Sequence, residues 1–404
     1  MNLKTAYTVG QIPHAEHPLP QAEREGWLCL NGRWALQKLS LDGAVLYDGE
    51  ILVPFSPETL NSGVEEGFTL GAGERLIYRR TVTVDASFLQ GVTLLRFGAV
   101  DSECRVYCNE IFVGGHRGGF TAFSLDVSHA LKSGANEIRV ECTDEATRNG
   151  GARGKQSDRR GGIWYTPQSG IWQTVWLETM PQKHIRNLRI TPNAADKSVC
   201  IESDSFGEKQ TLSVLDDGRE ILRAEYTEQV KLCYDFTLWS PEHPKLYDLV
   251  ITNESGDRLK SYFGVRSFGI SKDTKGIARL TLNGKPYFFN GVLDQGYWSD
   301  GLLTYPSEQA IADELQMLKD MGFNTLRKHI KIEPMRWYYH CDRLGLAVWQ
   351  DFVNGGGEYQ FTHVAAFPFL GLHIASNLKL THSVPYVISA HKDKAHKIMP
   401  LRRS

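Results

Sequence analysis

Hydrophobic and polar positions alternate with a period of two through the first two-thirds of the chain and then change to helical spacing. Residues 76–84 put Ile77, Arg79, Thr81 and Thr83 on one face and Tyr78, Arg80, Val82 and Val84 on the other, which is strand periodicity. Short runs of the same kind occur at 34–37, 92–97, 105–108, 120–125, 137–142 and 173–178. Asn109-Glu110 between 105–108 and 111–113 predicts a hairpin, and 114–119, with four Gly, predicts a tight connection. Many short strands separated by turns predict a β-sandwich of jelly-roll type over residues 1–181, with polar residues 1–20 wrapping its surface. A second set at 185–190, 198–202, 211–215, 230–236, 247–252 and 259–265 predicts an immunoglobulin-like β-sandwich over 182–269.

From Leu280 the pattern changes. A strand at 287–293 is followed by a helix at 307–321, where Ile311, Leu315 and Leu318 share a face and Gly322 stops the run. A strand at 324–330, a helix at 334–344 closed by Gly345 and a strand at 346–350 complete the series. Strand–helix repeats of this length predict a parallel sheet with right-handed crossovers. Residues 270–371 therefore read as an incomplete TIM (β/α) barrel of about three units. Asp294, Arg327, His329 and Asp351 fall at the carboxyl ends of its strands, the edge where such barrels keep their chemistry. Three strands alone would leave open edges and one uncovered face.

Two stretches break the regularity. Residues 148–162 are glycine-rich, with five basic residues and one acid, Asp158. The spacing around Gly154-Lys155 does not make a phosphate loop, since Gln156 stands where Ser or Thr is needed. A mobile solvated loop is the plain expectation, and a loop reaching over a neighbouring pocket is the functional one. Residues 372–404 form an atypical basic tail with six Lys or Arg, one Asp, no Glu and four of the 13 His. Such a tail reads either as a solvated extension or as an out-of-frame end.

Composition narrows the class. A chain of 404 residues with 41% hydrophobic and 23% charged residues is expected to form several globular domains. The formal charge of −2 gives no reason to expect nucleic acid or an anionic membrane as partner, and no run approaches the roughly 18 apolar residues of a membrane helix. Residues 1–10 lack the apolar run of a signal peptide. The seven Cys include no CxxC pair and no Cys/His set at zinc spacing. Free thiols in a cytoplasmic protein without metal or other cofactor are expected. Nine Trp suit stacking on sugar rings, and equally a large core.

Several motifs in order resemble one family. Leu95-Arg96-Phe97-Gly98-Ala99-Val100-Asp101, Val106-Tyr107-Cys108-Asn109, Val113-Gly114-Gly115-His116 and Pro167-Gln168-Ser169-Gly170-Ile171-Trp172-Gln173 are similar to the sugar-binding jelly roll of glycoside hydrolase family 2, which includes β-galactosidases, β-glucuronidases and β-mannosidases. Phe263-Gly264-Val265-Arg266 resembles the exit of its immunoglobulin-like domain, and Leu282-Asn283-Gly284-Lys285-Pro286 the start of its barrel. Asn324-Thr325-Leu326-Arg327-Lys328-His329 with Asp342-Arg343-Leu344-Gly345-Leu346 resembles its first signature. The resemblance extends from about Trp27 to Leu372.

The resemblance implies a retaining β-glycosidase acting through two carboxyl groups about 5–5.5 Å apart. In the family both are glutamates on later barrel strands, the acid/base within an Asn-Glu pair. Here the Asn-Glu pairs are Asn109-Glu110, Asn136-Glu137 and Asn253-Glu254, all in the β regions, so the chain is expected to lack the catalytic glutamates. What remains is expected to hold a β-glycoside. Arg327 and His329 would face the sugar, Asp294 and Trp298 follow the first strand, and Asp351 and Asn354 follow the third. Trp298 is suited to stack on a sugar ring and Asp351 to accept two hydroxyls, though Asp351 would equally serve to cap its own loop. A non-catalytic carbohydrate-binding protein and an inactive truncated product are the alternatives, and homo-oligomer formation stays open.

Overall fold

The computed structural model describes residues 3–145, 151–158, 160–355 and 369–370. The basic tail from 372 lies outside them. The first β unit pairs a six-stranded with a four-stranded antiparallel sheet. The larger runs, in spatial order, Val45–Val53, Gly32–Leu39, Arg75–Val84, Gly134–Thr143, Glu103–Cys108 and Ile111–Arg117. The smaller runs Trp27–Cys29, Val175–Met180, Val92–Phe97 and Phe123–Asp126. Leu76, Tyr78, Val82 and Val84 bury the face that alternation assigned to the odd-step partners of Ile77, and they meet Leu95, Phe97, Val175 and Leu177 from the smaller sheet in one core. Asn109 and Glu110 both take positive φ, 49° and 64°, as a two-residue hairpin requires.

Of the stretch expected as a tight connection at 114–119, residues 114–117 continue the Ile111–Arg117 strand, and the turn follows at Gly119. The strand's glycines serve close approach, because a Cβ on Gly115 would stand 2.5 Å from the Cys104 carbonyl oxygen.

The second β unit holds Arg186–Asn193, Ser198–Asp204 and Gln229–Cys233 in one sheet. Arg219–Tyr226, Gln210–Asp216, Tyr247–Asn253 and Arg258–Phe263 form the other. Ile201, Leu212, Val214, Phe236, Leu249 and Ile251 close its core. Arg219–Tyr226 carries little apolar alternation, because it is an edge strand with half of its residues exposed. Buried Arg24 joins the two units. Its guanidinium binds Asp257 at 2.9 Å, Glu178 at 3.2 Å and the Ile185 carbonyl at 2.5 Å.

A hairpin, Phe268–Lys272 with Ala278–Leu282, leads into the third unit. There Gly291–Asp294, Thr325–Lys328 and Ala347–Gln350 pair in parallel, separated by helices Glu308–Asp320 and Met335–Leu344. The first strand starts later than its apolar run suggests. Tyr287 N–H donates to the Leu280 carbonyl at 3.0 Å and so stays with the hairpin, whereas the Asn290 carbonyl accepts from Asn324 N–H at 3.0 Å and leads into the parallel strand. Ser307 caps the first helix by accepting from Ala310 N–H, and Gly345, at φ 79°, ends the second. Val292, Leu326 and Val348 face the helices and pack with Ile311, Leu315, Trp337 and Cys341. Leu293, Arg327 and Trp349 lie side by side on the other face, where Leu293 and Trp349 are each 48% exposed.

The N-terminal segment does more than wrap the first unit. Thr5 N–H and Oγ1 donate to Asp300 at 2.8 and 2.7 Å, and His14 Nε2 meets the Tyr305 carbonyl at 2.8 Å, so it straps onto the parallel unit. Asp342 on the second helix ties that unit to the second β unit, accepting from Tyr262 Oη at 3.0 Å and pairing with Arg266 at 2.8 Å.

Candidate functional site

Alternation decides which strand-end groups meet. Arg327, His329 and Asp351 occupy the face away from the helices. Arg327 Nε donates to both Asp351 carboxylate oxygens at 3.1 Å, and His329 Nδ1 stands 2.8 Å from Oδ2. Burial works against charge on Asp351, but hydrogen bonds from His329 and Arg327 outweigh it and hold the carboxyl below its usual range. The result is a partly exposed cation, an imidazole and a carboxylate at one strand edge. Such a set can donate to and accept from sugar hydroxyls.

The other predicted residues stand elsewhere. Asp294 is buried on the helix side, where its carboxylate pairs with Lys328 Nζ at 2.7 Å and accepts from Gly296 N–H at 2.7 Å. The Trp298 ring is half-buried, edge-on to Tyr305 at 5.4 Å and to Tyr7 at 6.3 Å. Asn354 acts through its backbone, its carbonyl accepting from Arg153 and Gly154 N–H at 3.0 Å each.

That last contact answers the question of the glycine-rich loop. Residues 152–156 dock across the strand ends, whereas Asp158 and residues 160–162 are exposed. Ala152 bridges Gly355, and a Cβ on Gly154, at φ 62°, would lie 3.2 Å from the Ile330 carbonyl. Buried Gln156 anchors it from behind, donating to Asp101 at 2.8 Å and accepting from Gln168 N–H at 2.7 Å. Tyr165 packs on Tyr297 with ring centroids 4.4 Å apart.

Sequence reasoning missed a buried charge cluster beneath the site. Lys328 is fully buried, pairs with Asp294 and with Glu333 at 2.7 Å each, and stands 4.2 Å from the Trp337 ring centre. Burial opposes its charge, but Glu333 and Asp294 more than offset that, and the ammonium is held above its ordinary range. Lys331 bonds Glu333 at 2.8 Å and the Gly296 carbonyl at 2.7 Å, and burial dominates there, lowering its pKa. Glu314 is pushed up to about 7 by burial, with Asp294 adding to the effect. The available signal was the charged pair Lys331 and Glu333 alternating with Ile330 and Ile332 just before Pro334.

A cavity of about 620 Å³ opens on the helix side of the sheet, lined by Phe120, Trp172, Met335, Tyr338, Val348 and Phe352 among others. It is mostly apolar and faces away from Arg327, His329 and Asp351, so the strand-end edge is the better candidate for polar chemistry. Among the described residues no cluster of His, Cys, Asp and Glu is suited to a metal ion.

Residues 60–181 match the model for the sugar binding domain of family 2 glycosyl hydrolases, and residues 183–266 match a second model of that family. The chain belongs to glycoside hydrolase family 2.

A putative β-glucuronidase of Formosa agariphila is 28% identical over 285 residues, 65% of this chain and 33% of its own length. A β-galactosidase of Thermoanaerobacter pseudethanolicus is 26% identical, over 68% of this chain and 39% of its own. The fold is similar to that of a Faecalibacterium prausnitzii β-glucuronidase, with a TM-score of 0.68 at 24% identity, covering 82% of this chain and 60% of that one. The chain spans from about a quarter to half the length of the curated relatives it matches.

Proposed function

We propose that this chain is the sugar-holding part of a retaining β-glycosidase, built as a jelly roll over 1–181, an immunoglobulin-like sandwich over 182–269 and the opening of a TIM barrel over 270–371. The observation that carries the reading is the Arg327–Asp351–His329 constellation at the carboxyl edge of three parallel strands, in a chain of this family. In this reading Asp351 accepts from two sugar hydroxyls, His329 donates to or accepts from a third, and Arg327 keeps Asp351 ionised. Asp294, Trp298 and Asn354 support the site from behind, through the buried cluster, the aromatic packing and the docked loop. The reaction needs a general acid/base and a nucleophile about 5–5.5 Å apart. The residues assigned here hold the sugar, and neither carboxyl of that pair is assigned among them.

Calorimetric titration with a panel of methyl β-glycosides, alongside an aryl β-glycoside assay, tests this. One glycoside is expected to bind, with affinity lowered about tenfold or more in Asp351→Asn through loss of a charge-assisted hydrogen bond. Absence of binding by every glycoside overturns the reading. Turnover of an aryl glycoside would place the acid/base and the nucleophile within this chain as well.

A further inference from the structure

We propose that the cavity on the helix side of the parallel sheet is a second binding site, built to take a neutral, largely apolar ring compound. It stands apart from the strand-end sugar site, which lies on the opposite face.

Size and lining set the class of guest. The cavity holds about 620 Å³, within the roughly 300–1,000 Å³ of sites that enclose a small organic ligand. Its apolar wall includes Pro18, Leu19, Ile332, Met335, Val348 and Phe352. Phe352 is 48% exposed and the others are half-buried, so each keeps apolar surface that a guest can cover. Phe352 and Met335 favour a ring, because aromatic pairs and thioether contacts with a ring edge add to the gain from buried area.

The polar groups on the border are already engaged. Thr304 Oγ1 donates to the Trp172 carbonyl at 2.8 Å, Gln173 Nε2 to the Ile332 carbonyl at 3.3 Å and Gln350 Nε2 to the Lys331 carbonyl at 2.8 Å. Glu308 pairs with Arg336 at 2.6 Å and with His340 at 2.5 Å. Glu333 is held by Lys328 at 2.7 Å and Lys331 at 2.8 Å. Glu16 is exposed and keeps its own hydration. A charged guest would therefore give up its water without meeting a free counter-charge inside, whereas a neutral apolar one loses little.

The walls come from separate parts of the chain. Leu19 belongs to the N-terminal segment, Gly98 and Thr121 to the first β unit, and Met335 and Val348 to the parallel unit. A guest that fits only their docked arrangement stabilises it by mass action.

Calorimetric titration of the full chain at neutral pH with 2-naphthol, 2-naphthoate and 2-naphthylmethylammonium tests this. The neutral probe is expected to bind, and each ion to bind roughly tenfold more weakly or worse, the cost of burying an unpaired charge. Binding should raise the melting temperature, and an excess of a methyl β-glycoside should not displace the probe. Met335→Trp and Val348→Trp fill the cavity from the helix and from the sheet. Whichever of them keeps the circular dichroism of the parent should lose about tenfold or more in affinity for 2-naphthol. Failure of 2-naphthol to bind the parent overturns the proposal. So does an ion that binds as tightly as the neutral probe, displacement by the glycoside, or unchanged affinity in a folded, filled variant.

Discussion

At the scale of single residues, the direction of a side chain decides its role. Arg327 and Lys328 are adjacent, yet one reaches a half-buried carboxylate at the strand edge and the other sits in a dry cluster with Asp294 and Glu333. Glu314 borders that cluster, facing Asp294 and Glu333 as well as Lys328 and Lys331, and is pushed up to about 7. Between the ordinary glutamate range and pH 7 the folded chain holds a proton that the unfolded chain has released. The resulting contribution to stability is complete below the unfolded value and is lost as pH rises through about 7. Glu314→Gln removes that dependence. Denaturant titrations at pH 4.5 and pH 8 should show the variant gaining on the parent by about 2 kcal/mol at the higher pH. A difference independent of pH would show that the carboxyl is not perturbed.

At the scale of elements, the parallel unit is held together by charge as well as by its apolar face. Lys328 on the second strand connects Asp294 of the first strand to Glu333 in the segment before the second helix. Lys328→Met keeps the volume and leaves two buried carboxylates sharing Lys331. The expected loss is about 3–5 kcal/mol, the usual cost of an uncompensated buried charge, read from chemical denaturation. A loss below about 1 kcal/mol would mean that the cluster relaxes or admits water. Helix and strand placement in this unit was legible beforehand, because Ser307 and Gly345 are strong end signals and the apolar spacing is unambiguous. The first strand was misjudged at its start. An apolar run does not reveal that Tyr287 hydrogen-bonds backward to Leu280.

At the scale of the molecule, a few polar anchors fix the units to one another. Asp342 receives Tyr262 and Arg266 from the second β unit, and its backbone carbonyl accepts from Trp239 Nε1 at 2.7 Å. Asp342→Ala leaves Arg266 without its carboxylate at the junction. Limited proteolysis should then cut faster near residues 266–290 while both sandwiches resist, because their cores are separate from this contact. An unchanged cleavage rate would show that Trp239 and the surrounding packing suffice.

Periodicity along the chain determined much of this protein by itself: two successive sets of antiparallel strands, the change to strand–helix repeats, and the motifs that carry its family. These are local features, set by which residues alternate and where helices begin and end. The tertiary structure decided how the candidate site is composed. Asp294 and Arg327 both stand at carboxyl ends of strands, and only the packing of helices on one face of the sheet sends the first inward and leaves the second outward. The glycine-rich loop likewise shows no local pattern of its own. Its position comes from backbone hydrogen bonds to Asn354, some two hundred residues away in the chain. Contacts of that range depend on the relative placement of whole units, which the order of hydrophobic and polar residues does not encode locally.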